Sequence, residues 1–227
     1  MRALLYAGAA LLAWGVALMP ARAAMTAPEK LYGGEILFDI LRNGELIGTQ
    51  RVTLKRDGHV LTVSQVADIT VRFLFIPVYR FHSEGATQWH SGRLLETKTT
   101  TNDNGKVTAV TARDDGGKLV IDGPAGKFQA PESVITMEHW NPAELEQTIM
   151  LNTLTGRLDK VEIHDEGPDQ VPTPEGGRAA RRFSYQGSDL NLTAFYDSAG
   201  HWVGLRFFAG DGSRIERVCR RCGSPPG

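Results

Sequence analysis

The stretch Leu46-Ile47-Gly48-Thr49-Gln50-Arg51-Val52-Thr53-Leu54-Lys55, followed by Asp57-Gly58 and then Leu61-Thr62-Val63-Ser64, decides the fold class. Leu46, Gly48, Gln50, Val52 and Leu54 fall on one side of an extended chain, and Ile47, Thr49, Arg51, Thr53 and Lys55 on the other. Beyond the Asp-Gly pair the alternation resumes, with Leu61, Val63, Ala67, Ile69 and Val71 opposite Thr62, Ser64, Asp68 and Thr70. A period of two with one polar face marks an antiparallel sheet covered on one side. Asp-Gly supplies the positive φ angles of a tight hairpin turn, so the two runs are expected to pair.

The same signals recur outward from this hairpin. Asn43-Gly44, Ser91-Gly92, Asn104-Gly105, Asp115-Gly116-Gly117, Asp122-Gly123, Ser198-Ala199-Gly200 and Gly210-Asp211-Gly212 all read as turns. Late in the chain Leu190, Leu192, Ala194 and Tyr196 oppose Asn191, Thr193 and Phe195. Gly167 to Gly177, with Pro168, Pro172 and Pro174, reads as the longest exposed loop. Only one stretch asks for a helix: Asn141 is a good N-cap, Pro142 fits the first helical position and Glu144 completes a capping box. A flat meander of about a dozen strands would curl to bury its apolar face. The expected fold is therefore mainly β: a strongly curved antiparallel sheet or half-barrel of about a dozen strands, with one short helix covering the concave side. A closed antiparallel barrel is the alternative.

Composition narrows the function classes. The 227 residues carry 25 Lys+Arg against 26 Asp+Glu, a net charge of −1, which is wrong for nucleic-acid binding by bulk electrostatics. With 41% hydrophobic and 22% charged residues the chain is ordinary globular material, and 2 cysteines cannot make a disulfide framework. Arg2, the apolar run Ala3 to Met19, the breaker Pro20 and the box Ala21-Arg22-Ala23 read as a secretory signal cleaved after residue 23. An uncleaved anchor of similar length is the competing reading. The resulting division is a signal peptide at 1–23, an N-terminal tail at 24–33, a single β domain at 34–218 and a flexible C-terminal tail at 219–227. In a Gram-negative source the product would be periplasmic, or otherwise secreted, with no transmembrane segment in the mature chain.

Candidate chemistry is sparse. Phe73-Leu74-Phe75-Ile76-Pro77-Val78-Tyr79-Arg80-Phe81 is apolar on both faces, so it is either covered on both sides or lines a site for something else. Phe73, Phe75, Ile76, Tyr79 and Phe81 are the candidate wall of a hydrophobic site, with His139 and Trp140 on the covering segment. Glu138-His139 could instead form an acid/base pair beside Trp140, although helix initiation alone accounts for Asn141 and Pro142. The six histidines show no metal spacing, and no nucleophile elbow, phosphate loop or dinucleotide fingerprint is present. No catalytic set, metal or cofactor is expected. Cys219-Arg220-Arg221-Cys222 is a candidate short-loop disulfide in an oxidising compartment. A redox role would want that pair at a helix start, and here Ser-Pro-Pro-Gly follows.

Several short motifs occur in a distinctive order. They are Phe38-Asp39-Ile40 with Asn43-Gly44 and Ile47-Gly48-Thr49, Phe75-Ile76-Pro77-Val78-Tyr79-Arg80, Asp103-Asn104-Gly105-Lys106, Trp140-Asn141-Pro142 and Thr155-Gly156-Arg157. In this order they resemble the secreted bacterial family catalogued as domain of unknown function 6134 (DUF6134), over about Glu35 to Arg217. The Cys219–Cys222 pair lies outside that pattern. The resemblance implies a compartment and no activity. More loosely, the expected sheet is similar to the half-barrels of periplasmic lipoprotein carriers, an analogy of fold that does not carry function.

Three functional readings follow. The first is a non-enzymatic periplasmic protein that binds a lipid or other apolar small molecule on the concave face. The second is an interaction module of the cell envelope whose exposed apolar strip or sheet edge meets a protein partner. The third is an enzyme using Glu138 and His139. No nucleic-acid partner is expected.

Overall fold

The computed structural model describes residues 27–224; the expected signal segment lies outside them. A helical turn α1 (Pro28–Leu31) precedes eight strands in succession: β1 (Glu35–Arg42), β2 (Glu45–Asp57), β3 (Val60–Phe73), β4 (Ile76–His90), β5 (Arg93–Asp103), β6 (Lys106–Asp114), β7 (Lys118–Gly123) and β8 (Gly126–Pro131). A connecting segment follows with three short strands, β9 (Ile135–Thr136), β10 (Ile149–Leu151) and β11 (Leu158–Lys160). The chain ends in β12 (Glu162–Thr173), β13 (Gly176–Gln186), β14 (Asn191–Tyr196), β15 (Trp202–Phe208) and β16 (Arg214–Arg221). Thirteen strands form one sheet in the order β12-β13-β14-β15-β16-β1-β2-β3-β4-β5-β6-β7-β8. Every neighbour is antiparallel, and β16 pairs β1 with Ile40 opposite Arg217. The sheet is open, with β8 and β12 at its edges, so the closed-barrel alternative does not hold.

The predicted alternation on β2 and β3 is realised. Val52 and Leu54 face Gln65 and Val63 across the pair, and Val52, Leu54, Leu61 and Val63 are buried on one face with Ile36, Phe38 and Ile40. Over this inner face lies the connecting segment. Glu138 reaches Gln65 on β3 and Thr87 on β4, while Glu144 reaches Tyr185 on β13 and Tyr196 on β14. In a flat sheet β4 and β13 would stand seven strand spacings apart, about 34 Å. Two side chains six residues apart cannot span that, so the sheet bends around the segment.

Four expectations are corrected. The short helix expected after Asn141 is a single 3-10 turn, Pro142–Glu146. Asn141 Oδ1 does accept from the Ala143 N–H at 3.1 Å. Glu144, however, turns inward as a buried anchor instead of closing a capping box, and the turn ends at Glu146. The proline-rich stretch 167–177 is no loop: it forms most of β12 and its turn into β13. Prolines are tolerated because β12 is an edge strand with a register shift between Asp165 and Pro168.

The described residues of both tails, 27–33 and 219–224, are docked. Tyr32 is buried, donates to the Trp140 carbonyl at 3.0 Å and accepts from the Trp202 N–H at 2.8 Å. At the other end β16 runs through Arg221, Cys219 and Cys222 are bonded and buried, and Arg178 donates to the carbonyls of Gly223 and Ser224. Finally, the apolar run 73–81 is split by a hairpin turn at Leu74-Phe75, and its tip is not covered on either side.

Candidate functional site

Two carboxylates organise the connecting segment, and neither pairs as Glu138 with His139. The Glu138 carboxylate accepts from Gln65 Nε2 at 3.0 Å, Thr87 Oγ1 at 2.9 Å, Thr136 Oγ1 at 3.0 Å and Trp140 Nε1 at 2.9 Å. Burial raises its pKa, and the hydrogen bonds from Trp140, Thr87 and Thr136 oppose that rise. The imidazole of His139 turns instead to Glu144, with Nδ1 2.6 Å from Oε1, while the His139 backbone N–H donates to Oε2 at 2.9 Å. The Tyr185 hydroxyl donates to the same carboxylate at 2.6 Å, and the Tyr196 hydroxyl lies 2.8 Å from it. Burial alone would raise the Glu144 pKa; His139, Tyr185 and Tyr196 together outweigh it and lower the pKa. His139 has φ 63°, a left-handed conformation that sends its side chain and that of Glu138 to different partners.

Beside this segment the inner face opens into a cleft of about 630 Å³, a size that takes a small-molecule ligand. Phe81, Met137, Leu192, Leu205 and Phe207 supply apolar wall; Gln50, Gln65, Glu138 and Arg217 supply polar groups. The Oε1 of buried Gln50 has no hydrogen-bond partner. Among the described residues Arg217 is the only Lys or Arg lining the cleft. Its guanidinium stacks over Trp202 at 5.8 Å and has no hydrogen bond or ion pair among the described residues. Burial alone acts on it, lowering its pKa to about 10, so it stays charged at neutral pH. A second depression of about 860 Å³ is richer in arginines, but there Arg178, Arg181, Arg220 and Arg221 are held by Asp197, Asp165, Asp39 and Glu35. Arg217, half-buried in the cleft wall, therefore stands apart as a cation without an anion among the described residues.

The residues expected to line a site are divided by the structure. Phe81 and His139 line the cleft. Trp140 is buried beneath it, edge-to-face with Trp89 at 5.6 Å. Tyr79 is half-buried, with its pKa pushed up to about 12 by burial and by its bond to Asp103. Phe73, Phe75 and Ile76 are exposed at the hairpin tip, outside the cleft.

Sequence reasoning missed Arg217, Gln65 and the buried hydroxyls of Ser83, Thr87, Thr97 and Thr101, which pair across β4 and β5. A signal for Arg217 exists: the alternation Ile215, Arg217, Cys219 sets a charge on the inward side of a strand. Among the described residues no group of three or more His, Cys, Asp or Glu is placed to hold a metal ion. No helix among them is long and apolar enough to cross a membrane.

Comparison with known proteins yields one match: the family described as Domain of unknown function (DUF6134) covers residues 38–220. No curated protein and no solved structure matches the chain, and the likeness to lipoprotein-carrier half-barrels gains no support.

Proposed function

We propose that this chain, which belongs to the DUF6134 family, is a non-enzymatic protein of the cell envelope that binds one anionic amphiphile in its cleft. The observation that carries this reading is Arg217, a half-buried guanidinium with no anion among the described residues, beside a wall that mixes apolar and polar side chains. Holding a partly desolvated charge without a partner carries a free-energy penalty. A carboxylate or phosphate head would remove that penalty, and Phe81, Leu192, Leu205 and Phe207 would take an acyl or similar tail. The free Gln50 Oε1 calls for a donor, such as a hydroxyl next to the anionic group. The leader-like N-terminus supports an exported, periplasmic setting, where lipids of this chemistry are at hand. The inward segment Met137–Trp140, rather than a helix, would cover the concave side.

The test is a titration with a fluorescent fatty-acid analogue and with the matching neutral alcohol, both without detergent. We expect micromolar uptake of the acid and at least about tenfold weaker uptake of the alcohol. Arg217→Leu should erase the difference. Equal uptake of acid and alcohol by the unaltered protein would contradict the reading.

An acid/base enzyme is the second reading, favoured by the Glu144-His139 pair at the cleft wall. It would need a nucleophile or substrate proton within reach of the imidazole. No Ser, Thr or Cys among the described residues makes a hydrogen bond to that ring.

A further inference from the structure

In an antiparallel meander the turns alternate between two ends of the sheet. The turns after β1, β3, β5, β7, β13 and β15 share one end, and the cleft opens there, lined by Gly187–Leu190 and Phe208. The exposed large apolar residues concentrate at the same end. Phe73, Leu74, Phe75, Ile76 and Val78 are joined there by Leu46, Val107 and Phe208, each within three residues of its turn.

The β3–β4 hairpin carries most of this surface. β2 pairs with β3 only as far as Ile69, and β5 pairs with β4 only as far as Phe81. Apart from the bond that the Asn104 N–H donates to the Arg80 carbonyl, residues 70–80 therefore make ladder pairs only with each other, a two-stranded tongue reaching about 13 Å past the sheet. At its tip Phe75 is 92% exposed, and Phe73, Leu74 and Ile76 are each at least 66% exposed. The turn itself is unusual. Asn43-Gly44, Ser91-Gly92 and Asn104-Gly105 occupy their positive-φ turns with residues suited to them, whereas here Leu74 (φ 45°) and Phe75 (φ 69°) hold the same positions. Bulky L residues are strained in that conformation. Strain kept at an exposed tip points to a use for those side chains.

We propose that this rim docks on a lipid bilayer, with the Phe73–Ile76 tip inserted among the acyl chains. Side chains exposed on every side of a narrow tongue suit an isotropic apolar medium, where a protein interface would order one face. Charge agrees: residues 69–81 contain Arg72 and Arg80 and no carboxylate, and neither guanidinium is held in an ion pair. Both sit behind the tip, at the level of anionic headgroups. The tip residues are separate from those lining the cleft, so the inference goes beyond the binding reading and fails or holds separately. If both hold, the cleft mouth faces the bilayer that supplies its ligand.

The experiment labels Phe75→Cys with an environment-sensitive fluorophore and, as control, Asp115→Cys at the opposite end of the sheet. Vesicles of phosphatidylglycerol and phosphatidylethanolamine, 1:3, are added to each. We expect a blue shift and brightening at position 75 and none at 115. No response at 75, or an equal response at both, overturns the proposal. The double variant Leu74→Asn/Phe75→Gly supplies residues the turn prefers, so it should melt no lower than the unaltered chain. It should bind the vesicles at least about tenfold more weakly, and unchanged binding overturns the proposal. Arg217→Leu should leave vesicle binding unchanged, and the double variant should leave uptake of the fatty-acid analogue unchanged, which separates the two claims.

Discussion

His139 looks like a catalytic base in the sequence, and in the structure it is the counter-charge of a buried acid. Its ring lies against Glu144, whose carboxylate is fully buried and has no other cationic partner at hydrogen-bond distance. His139→Ala should therefore lower stability at neutral pH by about 3 kcal/mol, the scale of an orphaned buried charge; urea denaturation measures it. The pH dependence has a definite sign. The native pKa of Glu144 lies below its ordinary 4.5, so its contribution is present above that value and is lost as pH falls through the lower native one. Stability of the unaltered chain should fall on acidification below pH 5, and His139→Ala should flatten that fall. A variant as stable as the parent at pH 7 would show that the pair is dispensable. At this scale the sequence was readable where type and spacing sufficed, as with the Asn141 cap. It did not reveal that the carboxylate six residues after Glu138 would claim the histidine, because that pairing depends on Tyr185 and Tyr196, strands away.

Elements were more legible, because a hairpin with an Asn-Gly or Asp-Gly turn is specified locally. The turns at 43–44, 104–105 and 115–117 fall where those pairs stand. The turn at Leu74-Phe75 was hidden for the same reason in reverse: nothing in Phe-Leu-Phe-Ile advertises positive φ, so the run reads as one strand. The edge strand β12 was hidden by its prolines, which an edge accommodates and a central strand would not. The two-sided burial of β14 and β15 could not be read either. It arises because Val171 of β12 packs over Gly204, whose added Cβ would stand 3.5 Å from Val171 Cγ1. One element-scale prediction concerns register. A Cβ on Gly48 would lie 2.0 Å from the Asp68 carbonyl oxygen, with backbone and not a flexible side chain in the way. Gly48→Ala should thus cost about 1–3 kcal/mol through displacement of β3, read as a lower urea midpoint. An unchanged midpoint would mean that the β2–β3 pairing yields freely there.

At the scale of the molecule, an open sheet of thirteen strands leaves an inner face larger than one short segment can cover. The uncovered part is the cleft, and Arg217 is the only Lys or Arg among the described residues lining it. A core meant only for packing has no use for an unpaired guanidinium, since an apolar residue of similar volume would remove the penalty. The sheet class followed from alternation and turn spacing, whereas the cleft depends on which rows the connecting segment leaves bare. The most direct measurement is mass spectrometry of an organic extract from the exported protein, purified without detergent, alongside the same extract from Arg217→Leu. The account predicts an anionic lipid-like molecule at close to one per chain in the first and its loss from the second. A neutral molecule in both extracts, or an empty first extract from a protein that also fails to take up the fatty-acid analogue, would contradict it.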